Sequence, residues 1–158
     1  ISHKSSKFKV NLKNISKLLE KEKKLKLNKV STYKNFFKKI SILKEKTYKF
    51  ISHEIKNGKK IFIYGASTKG NTILQFYKLN SSQIKFAAER NPNKYNKIIP
   101  GTGIKIISEK ESRNMQPDYF FVLPWHFKSE IILREKKFLN NNGSLIFPLP
   151  NLQIVKNK

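Results

Sequence analysis

Two glycines five residues apart, Gly65 and Gly70, enclose Ala66, Ser67, Thr68 and Lys69 in the segment YGASTKGNT. Small residues let backbone N–H groups close on an oxyanion, and two hydroxyls with an ammonium add donors and charge. The segment satisfies neither of two familiar phosphate loops. Gly65 and Gly70 keep the spacing of the outer glycines of a dinucleotide fingerprint, but Ser67 stands where that loop has its middle glycine. Asn71 stands where an ATP-binding loop requires lysine, which argues against ATP hydrolysis. What remains is an anion site at a helix start, or a tight strand-to-helix corner that merely needs glycines; the segment alone supports both equally.

The elements around the turn decide where else to look. KIFIYG is a short apolar run ending at Gly65, and Ile73, Phe76 and Tyr77 follow at helical spacing, so the pattern is strand, turn, helix. Further strands are expected in IKFAAE, DYFFVL and SLIFPLP. A loop is expected over RNPNKYNKIIPGTG, a short helix around SEKESRNM and an amphipathic helix over FKSEIILREKKFL. Strands apolar on both faces that alternate with helices predict an α/β domain with a mainly parallel sheet covered on both sides. In such a sheet ligands sit beyond the carboxyl ends of the strands. Glu89, Arg90 and Asn91 follow the second strand and Pro124, Trp125 and His126 the third, so both groups should share the edge that carries the glycine turn. Glu89 lies 24 residues after Gly65, near the place of the ribose-binding acid in a dinucleotide fold.

Ahead of the domain, residues 1–60 carry 19 lysines and 4 glutamates. Tyr33, Phe36, Phe37, Ile40, Leu43, Thr47, Ile51 and Ile55 mark one face of a long helix, with Ser31 or Thr32 placed to cap its start and Gly58 its end. Leu12, Ile15, Leu18, Leu19 and Leu25 mark a shorter helix before it. The division expected is a helical portion over residues 1–58 and a domain over 59–158. The net charge of +24 invites a nucleic-acid reading, yet only Arg90, Arg113 and Arg134 among 34 basic residues are arginine, the side chain that base-edge recognition favours. A lysine-rich composition on solvated faces is the simpler account, and neither nucleic acid nor membrane is an expected partner. With no cysteine and three scattered histidines, no metal site is expected. No apolar run reaches the ~20 residues that span a bilayer, and a cytoplasmic location is expected.

Taken in order, YGASTKGNT, AERNPNK with the following PGT, PDYFFVLPWHFKSEI and NGSLIFPLP resemble the C-terminal domain of the S-adenosylmethionine-dependent sugar C-methyltransferases. The likeness covers roughly residues 14–155, and LPWHF is its most distinctive part; Gly103 departs from it, since the family has a larger polar residue after PGT. The resemblance implies a Rossmann-like three-layer domain preceded by N-terminal helices. It also implies a preceding zinc-binding domain and a central methyltransferase domain, which holds S-adenosylmethionine and the catalytic base. This chain is then expected to bind no cofactor itself, and ISHKSS looks like the tail of the central domain's last strand. The substrate implied is a nucleotide-linked deoxy keto-sugar lying between the two domains.

The residues expected to face that substrate are Gly65, Ala66, Ser67, Thr68, Lys69, Gly70, Asn71, Glu89, Arg90, Trp125 and His126, and none carries an expected catalytic step. For His126 a structural or orienting role is expected in preference to that of a base, and for Trp125 packing is preferred to stacking. Two other classes stay open from sequence: a free-standing NAD- or nucleotide-binding module, suggested by the strand–turn–helix and Glu89, and a nucleic-acid-binding protein, suggested by charge alone.

Overall fold

In the computed structural model, which describes residues 3–157, each of the four expected strands forms and two more join them. The four are β1 (Ile61–Tyr64), β2 (Phe86–Glu89), β4 (Tyr119–Val122) and β5 (Ser144–Phe147). The additions are β3 (Lys105–Ser108), four residues between the glycines of PGTG and the next helix, and β6 (Gln153–Lys156), a largely exposed edge strand. Their order is β3-β2-β1-β4-β5-β6, parallel throughout except for the antiparallel β5–β6 pair. The order reverses between β1 and β4, the switch point at whose carboxyl edge ligands sit in sheets of this kind.

Alternation along the central strands divides the core into two faces. Ile61 and Ile63 of β1 join Tyr119 and Phe121 of β4 on one side, and Phe62 and Tyr64 join Phe120 and Val122 on the other. The first face is covered by Ile73, Leu74 and Tyr77 of α3 (Thr68–Tyr77) and by Ile51 of α2 (Val30–Lys56). The second is covered by Ile131 of α5 (Lys128–Arg134) and Leu139 of α6 (Lys136–Asn140). A short α4 (Glu109–Asn114), capped by Ser108, follows β3.

Two helical expectations change. The stretch from Phe127 to Leu139 is two helices, α5 and α6, parted at Glu135, whose backbone (φ −93°, ψ 20°) leaves helical geometry while its side chain is buried. Helix α2 begins at Val30, so neither Ser31 nor Thr32 precedes its first turn; the Thr32 hydroxyl instead donates to the Lys26 carbonyl (2.8 Å). Its end follows expectation. Gly58 at φ +78° lets its own N–H reach the Ile55 carbonyl and that of Lys59 reach Glu54, closing the last turn.

The chain falls into two compact units, residues 1–41 and 42–158. In the second, Thr47 and Ile51 of α2 are buried, Tyr119 donates its hydroxyl to Glu54 (2.8 Å), and Phe50 meets the Tyr119 ring edge-on. The first holds α1 (Leu12–Lys24), capped by the Asn11 side chain, and the start of α2. Its apolar residues Leu12, Leu18, Leu19, Phe36 and Phe37 are exposed. Of ISHKSS, residues 1 and 2 lie outside those described, and residues 3–6 form a turn rather than a strand. No helix among the described residues is long and apolar enough to cross a membrane.

At the opposite edge of the sheet from the glycine turn, Asp118 accepts from the Lys60 N–H (2.8 Å) and the Lys59 ammonium (2.9 Å). Partial burial opposes its ionisation, but these donors outweigh that and hold its pKa below the ordinary 3.8. A depressed carboxyl pKa contributes stability that is complete above the ordinary value and lost as pH falls through the folded one. Asp118→Asn is therefore expected to flatten the acid limb of stability below about pH 4. Urea titrations from pH 6 to 2.5 measure this; parallel limbs for both proteins would show that the ion pair contributes nothing.

Candidate functional site

The turn after β1 is shaped by two close approaches. Gly65 takes φ +85°, and a Cβ there would lie 3.1 Å from Pro124 Cδ at the end of β4. Gly70 is buried in the first turn of α3, where a Cβ would lie 2.6 Å from Leu123 Cδ1 and 2.7 Å from its Cβ. The second glycine thus serves helix-to-strand packing, the role of the last glycine in a dinucleotide loop. Ser67 caps α3, its Oγ accepting from the Gly70 N–H (3.1 Å). The N–H of Gly65 goes to the Ala88 carbonyl (2.8 Å) and that of Ala66 to Glu89 Oε2 (2.9 Å). Those of Ser67, Thr68 and Lys69 keep no acceptor among the described residues, and they point the positive end of α3 outward.

Glu89, at the end of β2, is saturated by the protein itself. One oxygen accepts from Ala66 and from the Lys94 ammonium (3.3 Å), the other from the N–H groups of Arg90 (2.9 Å) and Asn91 (3.0 Å). Partial burial opposes ionisation, yet the three N–H groups and Lys94 prevail and lower its pKa. Lys94 also donates to the Ala66 carbonyl (2.9 Å), so both sides of that residue are tied down. The side chain of Arg90 is exposed and has no partner among the described residues.

A cavity of about 430 Å³ opens between these turns, β4 and α5. Of the residues expected at the site, Gly65, Ala66, Ser67, Glu89 and Arg90 line it. Thr68, Lys69, Gly70 and Asn71 form the helix start beside it, outside the lining. Trp125 packs against both core clusters, whereas His126 is exposed, edge-on to Trp125 (5.4 Å) and beside Phe127 (4.5 Å).

The far wall escaped sequence reasoning. It consists of Tyr64, Glu109, Phe127, Glu130 and Arg134, with Lys94 near the turn. Arg134 donates to the Tyr64 hydroxyl and to Glu109 Oε1 (3.2 Å), and its guanidinium lies over the Tyr64 ring. Behind it, Glu135 accepts from Tyr64 (2.8 Å) and from both Arg113 Nη2 (2.6 Å) and Nε (3.2 Å). Burial, with Glu135 and Glu109 nearby, drives the Tyr64 pKa far above its ordinary value despite the opposing bond from Arg134, so the phenol remains a donor. One signal was available: only three arginines occur in a chain with 34 basic residues, and each belongs to this cluster or the cavity. A planar fork can bond two carboxylates at once where an ammonium cannot.

The chain matches the family described as C-methyltransferase C-terminal domain over residues 1–150. It is also 30% identical over 141 residues to the C-methyltransferase NovU of Streptomyces niveus, covering 89% of this chain and 34% of that protein. The chain thus spans about a third of that relative's length.

Proposed function

Because the chain belongs to the C-methyltransferase C-terminal domain family, we propose that it completes the substrate cleft of an S-adenosylmethionine-dependent sugar C-methyltransferase. In this reading the substrate is a nucleotide-linked deoxy keto-sugar, and the methyl transfer belongs to parts of the enzyme beyond this chain. The observation that carries it is one cavity lined by Ser67 and Arg90, where the unpaired Ser67 N–H and the unpaired guanidinium of Arg90 meet, with the unpaired N–H groups of Thr68 and Lys69 beside it at the start of α3. Together they suit a diphosphate. At the far wall, Glu130 is exposed without a partner and can accept hydroxyl donors from a sugar or ribose.

S-adenosylmethionine itself fits this cleft poorly. Its ribose needs an open carboxylate at the end of β2, and Glu89 has both oxygens filled by protein donors. The same saturation of Glu89 weighs against an NAD module. The exposed apolar side chains of residues 12–37 suit docking to the methyltransferase domain, since burying each contributes about 1.5–3 kcal/mol.

Calorimetry on the 158-residue chain at moderate salt tests this reading. Thymidine diphosphate, UDP and ADP are the probes for the anion site, with S-adenosylmethionine and NADH as contrasts. At least one diphosphate is expected to bind weakly and the two contrasts not at all. Arg90→Ala and Lys69→Ala should each weaken binding by about 1–2 kcal/mol, the scale of a hydrogen bond to a charged group. Lys137→Ala, on the exposed side of α6, should leave it unchanged. Equal losses in all three variants would mean the chain attracts anions only through its net charge. Micromolar binding of S-adenosylmethionine would overturn the division of labour.

A further inference from the structure

We propose that Glu89 is a positioning residue: without touching the ligand, its carboxylate fixes the glycine turn and the backbone of Arg90 in the ligand-receiving arrangement. The inference rests on the reading of the cavity as an anion site, and goes beyond it by giving the acid at the end of β2 a role other than ribose recognition.

Four donors converge on one carboxylate: Ala66 N–H from the turn after β1, Arg90 and Asn91 N–H from the turn after β2, and the Lys94 ammonium. A carboxylate offers about four acceptor positions, so none is left for a ligand hydroxyl. Lys94 closes the arrangement by donating to the carbonyl of the same Ala66 whose N–H Glu89 holds. With both polar groups of Ala66 engaged, the next three N–H groups have one direction open to them, outward past the Ser67 cap. The side chain of Arg90 departs from a backbone held at its own N–H and at that of Asn91, and its carbonyl accepts from the Tyr95 hydroxyl (3.2 Å). Two loops from neighbouring strands are therefore linked through one side chain, and the groups that would meet the anion are those it leaves unbonded.

Glutamine has the same shape but turns one acceptor oxygen into a donor, which must face N–H groups or an ammonium whichever way it is rotated. Glu89→Gln should therefore break one side of the linkage and leave the cavity's volume intact. The test uses the full 158-residue chain, ¹⁵N-labelled, as wild type, Glu89→Gln and Lys94→Gln, with inorganic diphosphate as the probe. In Glu89→Gln the amide hydrogens of Ala66, Arg90 and Asn91 are expected to exchange at least tenfold faster. Those of Ile63 and Phe121 in the central strands should stay protected. The Ser67, Thr68 and Lys69 amide resonances of the free protein should shift, although none of these groups bonds Glu89, and diphosphate affinity should fall about tenfold. Lys94→Gln should reproduce the effects more weakly.

Two results would overturn the proposal. One is unchanged exchange at Ala66, Arg90 and Asn91 in Glu89→Gln; the other is faster exchange there with the Ser67–Lys69 resonances and the affinity both unmoved. Failure of the anion reading looks different. If diphosphate moves no resonance of the turn even in the wild type, that reading falls, and exchange and resonance positions in the free proteins still decide whether Glu89 holds the turn.

Discussion

Glu135→Ala is expected to lower the unfolding free energy by about 3 kcal/mol, the low end of the range for removing one partner of a buried ion pair, because its arginine partners are partly exposed. The side chain is 2% exposed and receives Arg113 through two nitrogens and Tyr64 through its hydroxyl. Truncation leaves two guanidinium groups and a buried phenol facing an empty volume. At about 2–4 °C per kcal/mol for a chain of this size, melting should fall by roughly 10 °C. The penalty comes from stranded charge, so a variant that removes the charges together should recover much of it. Glu135→Leu combined with Arg113→Met is expected to lie far closer to wild type than Glu135→Ala. Denaturant titration of the three proteins measures the difference. A loss below about 1 kcal/mol for Glu135→Ala would show that the network is solvated and carries little.

That network also shows why the cavity was only half legible from sequence. The near wall announces itself locally: Gly65, Gly70 and the cap Ser67 are residue types that a strand-to-helix turn demands, and Glu89 ends the next apolar run. The far wall has no local signature, because Tyr64, Glu109, Arg134 and Glu135 come from three separate elements and meet only once the sheet has assembled. Glu135 read as one charged position on an amphipathic helix, since periodicity does not distinguish an acid facing water from one facing two arginines.

The same limit governs the strands. The fully buried runs β1, β4 and β5 were plain in the apolar pattern, whereas β3 begins with an exposed lysine after a loop, and β6 pairs antiparallel at an edge with three of its four residues exposed. Sequence spacing put Glu89 near the position of a ribose-binding acid in a dinucleotide fold, at the end of a strand. Which donors its oxygens hold depends on two loops that meet only when β1 and β2 pair.

Gly70→Val is expected to separate the start of α3 from the end of β4, and with it to dismantle the proposed anion site. The obstruction is the Cβ itself, 2.6 Å from Leu123 Cδ1 and 2.7 Å from Leu123 Cβ. The nearest atoms include one bonded directly to backbone, so rotating the leucine cannot relieve the contact and the two elements must move apart. Overpacking of this kind costs about 1–3 kcal/mol, occasionally more. Because the first added carbon makes the clash, Gly70→Ala should show most of the loss, with valine adding the cost of its branched chain. The displaced N–H groups of Ser67, Thr68 and Lys69 no longer converge, and diphosphate affinity should fall by at least tenfold, about 1.4 kcal/mol. Gly58→Ala is the control: it burdens a conformation with positive φ, +78°, which Gly70 does not have, but a Cβ there meets nothing within 4 Å, and it ends α2 rather than beginning α3. It should cost about 1 kcal/mol of stability and no affinity. If Gly70→Ala binds diphosphate as tightly as Gly58→Ala does, the close packing of α3 on Leu123 has no part in holding the anion, and the turn is a structural corner alone.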